Sequence, residues 1–341
     1  MAAGSTRGHR LIRTTRQGPN SGTTKDIEML AYVARRLAMA VGTILAAVVI
    51  SFLLVHVSDS TPGAVRLGPG ATPEQIAAEN EALGWNRPLL VQFFDYLGDL
   101  VRGDLGTSLI DGRSIAADLA DRVPVTASIA LFATILSGIV GVLIGVTAAV
   151  RGGRISRVLM TGSGVALSLP AFWVGVLLVY VLAIQTGWFP ATGYVQFATD
   201  PVGWFTSLAI PILTLTVGGA AIIARTANAG MREALAQEHI RTLRAMGTPE
   251  WRIRYVHALR FASLPVVSVL GIQFIALFGG SVIIENLFAL PGLGQAGQFA
   301  AASSDIPALI GVVVVATVVV VITNLLLNLV VAALDPKVRT A

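Results

Sequence analysis

Long apolar segments alternate with polar ones along most of the chain. A helix needs about 20 apolar residues to cross the roughly 30 Å hydrocarbon core of a bilayer. Six segments reach that length without Asp, Glu, Lys or Arg, at 37–57, 125–150, 158–184, 202–224, 261–284 and 306–334. Because a helix satisfies its own backbone hydrogen bonds in lipid, this pattern predicts an all-α integral membrane protein with six transmembrane helices.

The polar segments set the predicted organisation of the chain. It comprises a disordered cytoplasmic tail at 1–30, a first transmembrane helix at 31–57, an extracytoplasmic helical region at 58–124, a five-helix core at 125–334 that includes a cytoplasmic loop at 225–260, and a cytoplasmic tail at 335–341. The first tail is rich in Gly, Ser, Thr and Arg and has no apolar pattern, which is typical of disorder.

Two short helices are predicted in the extracytoplasmic region. Thr72, Pro73 and Gln75 predict a capped helix at 73–83, because the threonine hydroxyl and the glutamine amide can each satisfy a backbone group at its start. Apolar residues at helical spacing predict a second helix at 88–101. Its apolar face suits packing over the outer ends of the spans, contact with the bilayer or contact with a partner.

Charged residues are few and unevenly placed. They make up only 13% of the chain, against roughly 25% in a soluble domain. With the N-terminus placed in the cytoplasm, only five of the 24 Lys and Arg residues lie outside, namely Arg66, Arg87, Arg102, Arg113 and Arg122. This positive-inside asymmetry predicts cytoplasmic N- and C-termini, and it explains the net charge of +5 without nucleic-acid binding.

The cytoplasmic loop at 225–260 is rich in arginine and has a helical apolar pattern. Gly247 is a natural end for a first helix, and Thr248 with Pro249 supplies an N-cap and a first-turn proline for a second. The loop is therefore predicted to form two helices joined by a sharp break. A basic helical hairpin lying on the anionic inner leaflet would have the same composition.

The chain lacks the motifs of energy-converting and catalytic sites. A P-loop needs a lysine followed by Ser or Thr, yet the two lysines, Lys25 and Lys337, are followed by Asp26 and Val338. HExxH and GxSxG patterns are absent, and the apolar segments carry none of the acids or arginines that ion coupling usually needs. We therefore predict no catalytic residue, no bound cofactor and no metal site, so that any transport is driven from outside the chain.

Several segments, taken in their order along the chain, carry a family resemblance. They are RPLLVQFFDYLGDLVRGDLGTSL at 87–109, SLPAFWVG at 168–175, TGWFPATGY at 186–194, EHIRTLRAMGTPEWRIRYVHALRFASLP at 238–265, ENLFALPGLGQ at 285–295 and DPKVR at 335–339. They resemble the dipeptide and oligopeptide branch of the binding-protein-dependent ABC importer permeases, of the first-permease type. The fourth segment is similar to the cytoplasmic EAA loop of that family. The resemblance implies a type I ABC importer permease in a bacterial cytoplasmic membrane.

The resemblance also implies a division of labour between subunits. This chain would form half of a peptide translocation pathway in the lipid bilayer, beside a homologous second permease, two ATPase subunits that bind ATP and Mg²⁺, and an extracytoplasmic peptide-binding protein. The helix at 238–247 would be a coupling helix seated in a groove of an ATPase subunit. Its implied contact residues are Glu238, Arg241, Thr242, Leu243, Met246 and Gly247. Arg241 stands where the general pattern has an acid, so no contact of that acid is carried over.

Uncharged polar residues within the apolar segments are the candidates for lining the pathway. They are Ser168, Gln273, Asn324 and Asn328, to which we add Glu285 at the outer end of the fifth segment. Asn324 and Asn328 lie one helical turn apart and share a face. Such groups also hydrogen bond neighbouring helices, at about 0.6 kcal/mol each. Glu285 is equally suited to meeting a peptide amine and to capping a loop.

Two other functions fit the same residues. Permeases for nickel or another small solute share these motifs, because the binding protein largely decides the substrate. A channel or membrane scaffold whose basic loop binds lipid headgroups would also combine apolar helices with an arginine-rich loop.

Overall fold

The computed structural model describes residues 21–57 and 61–334, and the regular structure in those ranges is helical apart from one isolated β-bridge. Five helices are long and apolar enough to cross a bilayer, and a bent helix pair provides a sixth crossing if it is counted as one span. The predicted all-α architecture with multiple membrane spans is therefore confirmed. The segment DPKVR at 335–339 lies outside the described residues.

Helix α1 (Ser21–Val57) begins well before the boundary predicted at 31. The backbone of 21–30 is helical where the sequence predicted disorder. Residues 23–30 contain neither Gly nor Pro, and a helix already formed by the apolar span extends at little cost. The predicted tail at 1–30 is described only from residue 21 onwards.

Three short helices follow α1, namely α2 (Pro62–Leu67), α3 (Pro73–Ala82) and α4 (Leu89–Val101). The predicted capping box of α3 is present. The Gln75 backbone N–H donates to the Thr72 hydroxyl over 3.3 Å, and the Thr72 backbone N–H donates to the Gln75 side-chain oxygen over 2.9 Å. Helix α2 has no counterpart in the prediction.

Helix α4 packs across the ends of two membrane helices. Phe93, Tyr96 and Leu100 contact a cluster formed by Val48 of α1 together with residues from the start of the last helix. This burial raises the pKa of the Tyr96 hydroxyl to about 12, because the charged phenolate is poorly solvated there. The sequence left α4 free to pack on the spans, on the bilayer or on a partner. The structure confirms that α4 packs on the spans.

The centre of the fold is a close pair of long helices, α5 (Ile115–Arg151) and α8 (Pro201–Ala236). A Cβ added at Gly141 would lie 2.7 Å from the Ala220 carbonyl oxygen, so glycine is required for this approach. The Asn228 amide also donates to the Gly145 carbonyl over 3.2 Å. Close backbone packing and hydrogen bonds between helices are the main attractions available within lipid.

Between α5 and α8 the chain forms α6 (Gly153–Ser168), α7 (Ala171–Leu178) and a π-helical continuation (Val179–Gln185). The axes of the two halves meet at 100°, so the segment predicted as one span at 158–184 is sharply bent. Pro170 explains the break, because proline lacks the helical N–H and forces the preceding residue into an extended conformation.

The remaining helices complete the arginine-rich loop and the second half of the core. They are α9 (Glu238–Ala245), α10 (Glu250–Arg252), a π-helical turn (Ile253–Ala258), α11 (Leu259–Gly280), α12 (Val282–Leu287), α13 (Leu293–Ala302) and α14 (Ile306–Leu334). Helices α12 and α13 lie between the last two membrane helices and were not predicted. We call the end of the bundle that carries α9 and α10 the arginine-rich end.

Candidate functional site

The turn after α9 forms the break that the sequence predicted at the arginine-rich end. Gly247 has a φ of +78°, the left-handed conformation that glycine adopts without steric cost. Its N–H donates to the Arg244 carbonyl and the Thr248 N–H donates to the Leu243 carbonyl, both over 3.0 Å. This bond pair is a Schellman motif, so the assignment of Gly247 as the helix end is confirmed.

The start of the second arm differs from the prediction. Pro249, not Thr248, is the N-cap of α10, and no side chain caps this helix. Helix α10 is one turn long, and the chain then continues through the π-helical turn into α11. The predicted cap failed because Pro249 has an extended ψ of 141° and therefore stays outside the helix.

Ion pairs hold the two arms of the loop together. The Glu250 carboxylate accepts from the Arg244 guanidinium over 2.7 Å and from the Arg254 guanidinium over 3.1 Å. Glu250 thereby joins the end of α9 to the second arm. Each pair is partly exposed and contributes little energy alone, but two pairs on one carboxylate fix its position.

Buried apolar residues attach the loop to the membrane helices. Ile240 of α9 and Ile253 of the π-helical turn are fully buried. Ala258 of the π-helical turn, just before α11, belongs to one buried cluster with Met231 of α8 and Val146 of α5. A displacement of the loop would therefore be transmitted to three membrane helices as a unit.

The implied coupling residues differ in their exposure. Met246 is 75% exposed and Trp251, in the second arm, is 61% exposed. Leu243 is only half-exposed. The remaining implied contact residues, Glu238, Arg241, Thr242 and Gly247, are exposed. The loop thus presents large apolar side chains, chiefly Met246, at its tip.

Three of the resemblance segments converge at the opposite end of the bundle. The Gly193 N–H, from the segment at 186–194, donates to the Phe288 carbonyl over 3.0 Å. A Cβ at Gly175, from the segment at 168–175, would lie 2.9 Å from the Leu287 side chain. The segment at 285–295 therefore joins the other two.

Glu285 occupies the centre of this loop assembly and is fully buried. One carboxylate oxygen accepts from the hydroxyls of Thr126 and Ser281, each over 2.8 Å, and the other accepts from the Gln295 N–H over 3.0 Å. Gly292 passes so close to the carboxylate that a Cβ there would overlap it. This geometry is that of a loop cap, and a pathway role for Glu285 stays a prediction.

The other pathway candidates lie apart from Glu285. The Ser168 hydroxyl is exposed and donates to the Gly164 carbonyl over 3.1 Å, just before the bend at Pro170. Gln273 is 7% exposed and lies against Gly219 of α8. Asn324 is exposed on α14, and the side chain of Asn328 lies outside the described residues. A pore role for these four residues stays a prediction.

Thr126 and Asp305 are buried polar residues that the sequence did not identify as site residues. Thr126 donates to Glu285 and accepts from the Leu293 N–H over 2.8 Å. Asp305 is 2% exposed, accepts from the Ser108 hydroxyl over 2.5 Å and borders a cavity of about 560 Å³. An aspartate just before an apolar helix signals an N-cap, but no local signal identifies its distant partner.

Together these features define a class: a multi-span membrane protein with an arginine-rich helical loop at one end and an interlocked loop assembly at the other. Two family profiles match the chain. The binding-protein-dependent transport system inner membrane component matches residues 141–340, and its N-terminal counterpart matches residues 29–130. The chain belongs to this family, whose members are permease subunits of ABC transporters.

Curated relatives match over nearly their whole length. A probable peptide ABC transporter permease protein of Sinorhizobium fredii is 36% identical over 312 residues, which cover 91% of this chain and 100% of the relative. A putative peptide transport system permease protein of Brucella abortus is 35% identical, covering 91% and 99%. A glutathione transport system permease protein of Salmonella choleraesuis is 33% identical, again covering 91% and 99%.

The fold also resembles a solved structure. A chain of the methionine ABC transporter MetNI, in an inward-facing conformation, superposes with a TM-score of 0.53 at 23% identity. The match covers 64% of this chain and 96% of that chain. At this identity the likeness concerns the fold, and it supports the predicted type I architecture.

Proposed function

We propose that this chain is the permease subunit that forms half of the translocation pathway of an ATP-driven importer for di- and oligopeptides. One observation carries the proposal: a helical loop with Met246 exposed at its tip joins two membrane helices, α8 and α11, in a chain of the ABC permease family. Such a loop can receive a displacement from a partner and transmit it through the membrane.

The substrate class is inferred from the relatives. Those described above are named for peptide or glutathione transport, and glutathione is itself a small peptide. The proposal therefore favours peptides over nickel or another small solute. An extracytoplasmic peptide-binding protein would deliver them to the end of the bundle that holds Glu285.

The energy source would lie in other subunits. Neither Lys25 nor Lys337 has the neighbours of a P-loop lysine, so ATP and Mg²⁺ would bind to two partner ATPase subunits. A homologous second permease would supply the other half of the pathway. The arginine-rich end would face the cytoplasm of a bacterial cell, because Lys and Arg are retained on that side during insertion.

Reporter fusions test this orientation. Fusions after Arg154 and Arg244 are expected to report the cytoplasm, and fusions after Asp95 and Gln196 the outside, because the basic residues concentrate on one side of the spans. Alkaline phosphatase and a fluorescent protein that folds only in the cytoplasm give opposite readouts at each position. Reversal at any two positions would contradict the proposed map.

Reconstitution tests the division of labour and the substrate. The full complex in proteoliposomes is expected to take up a labelled dipeptide only with ATP inside and loaded binding protein outside. The purified chain alone should hydrolyse no ATP above background, because it has no P-loop lysine. Uptake of nickel with no uptake of peptide would move the chain to the small-solute branch. Ungated leakage without ATP would favour a channel.

A further inference from the structure

A shallow recess runs along α6 at the arginine-rich half of the bundle. Its volume is about 610 Å³, and Arg157 and Thr161 of α6 line it together with Arg225 of α8. Toward the end of α6 the lining also includes the apolar side chains of Val165 and Leu169. The positions from 157 to 169 are spaced by four residues, so they share one face of the helix.

The two arginines in the recess have no described partner. Arg232 of α8 donates to Ser156, and Arg244 and Arg254 pair with Glu250. Within residues 21–57 and 61–334, by contrast, no hydrogen bond or ion pair links the guanidinium of Arg157 or Arg225 to another residue. No Asp or Glu lines the recess. The fold therefore leaves two positive charges facing an open groove.

Arg225 lies at the border between the apolar segment 202–224 and the arginine-rich end. It lies within α8, one of the helices apolar enough to cross the membrane, and roughly 16 Å from the end of that helix at Ala236. From this border its long side chain can reach the phosphates of the headgroup layer. Its guanidinium lies over Gly164, where a Cβ would be 3.0 Å from a guanidinium nitrogen, so the absence of a side chain at 164 leaves room for it.

We propose that this recess binds the headgroup of an anionic phospholipid from the leaflet at the arginine-rich end. The phosphate would accept from Arg157 and Arg225, and an acyl chain would lie along Val165 and Leu169. The charge of the lining matches a phosphate, and the apolar side chains in the same lining suit an acyl chain. This site is distinct from the loop at 237–258, and the proposal does not depend on what the protein transports.

Lipid retention on the full chain tests the proposal. The purified chain, titrated with phosphatidylglycerol or phosphatidylcholine, is analysed by native mass spectrometry. The wild type should retain phosphatidylglycerol preferentially. Arg157→Gln and Arg225→Gln should each weaken retention roughly fivefold, and the double variant roughly thirtyfold. The control pair Arg151→Gln and Arg154→Gln removes equal charge outside the recess and should change retention less than twofold.

A variant that keeps both arginines tests the space in the recess. Gly164→Leu should fill the recess and also reduce phosphatidylglycerol retention, at normal membrane abundance. Unchanged retention in the Arg157, Arg225 double variant would overturn the proposal, as would an equal loss in the control pair. Loss of peptide uptake or of a second permease, with lipid retention intact, would instead assign the arginines to the pathway or to a subunit interface.

Discussion

Replacing Glu285 with leucine is expected to unfold the loop assembly opposite the arginine-rich end. The Thr126 and Ser281 hydroxyls and the Gln295 N–H would lose their shared acceptor in a site with no exposure. Each buried donor left unsatisfied costs about 1–3 kcal/mol. The loss of three should lower the melting midpoint of the full chain in detergent by roughly 5 °C or more.

Glu285→Gln keeps the volume of the side chain and removes only part of its hydrogen-bond acceptors, so it separates the two effects on stability. One amide oxygen can still accept from Thr126 and Ser281, but the amide nitrogen would face the Gln295 N–H, so an intermediate midpoint is expected. Glu81→Leu on α3 is the matched control, because Glu81 is exposed and the same exchange there should leave the midpoint within a degree or so of the wild type. A wild-type midpoint for Glu285→Leu would show that the carboxylate does not stabilise the loops.

The parts of the fold that the sequence predicted rest on local physics. The membrane spans are recognised from continuous apolar segments of the chain. The capping box at Thr72 and the left-handed glycine at Gly247 depend on residues within a few positions of one another. The size of the bend at Pro170 could not be predicted from the sequence. Proline predicts a break, but the 100° angle is set by how α6 and α7 separately pack on α8.

The loop assembly was beyond the reach of the sequence because its contacts are distant. Thr126 and Glu285 are 159 residues apart, and Ser108 and Asp305 are 197 apart. Sequence alone showed only that Glu285 stood near the end of an apolar segment, which suits a pathway acid and a loop cap equally. The choice between them required knowledge of which hydroxyls surround the carboxylate.

In the arginine-rich loop, too, the sequence could predict neighbouring residues but not their exposure. The resemblance implied both Leu243 and Met246 as contact residues, yet Leu243 is partly buried against its own chain while Met246 is 75% exposed. A glutamate at 243 would therefore disturb intrachain packing as well as docking. Met246 is the cleaner position at which to test the proposed ATPase contact.

Met246→Glu is expected to abolish transport while leaving the chain inserted at normal levels. If Met246 is seated in a groove of the ATPase subunit, the variant buries an unpaired carboxylate there, which costs about 3 kcal/mol or more. Docking would weaken roughly a hundredfold or more. The ratio of ATPase subunit to permease after gentle purification should fall accordingly, and peptide uptake should be lost with it. Met246→Leu keeps an apolar side chain of similar size and should retain both.

If the loop only lies on lipid, we expect the opposite order of effects for the methionine and arginine variants. Its attraction would come from arginines, at about 1 kcal/mol each, so Arg252→Gln with Arg260→Gln should matter more than one exchange at Met246. Both arginines are exposed, and the described part of the chain shows no ion pair for either. Full ATPase retention and uptake in Met246→Glu, with loss of both in the arginine pair, would refute the coupling assignment. Loss in Met246→Glu alone favours an apolar groove on a partner, because on an anionic lipid surface one added glutamate should cost less than the loss of two arginines.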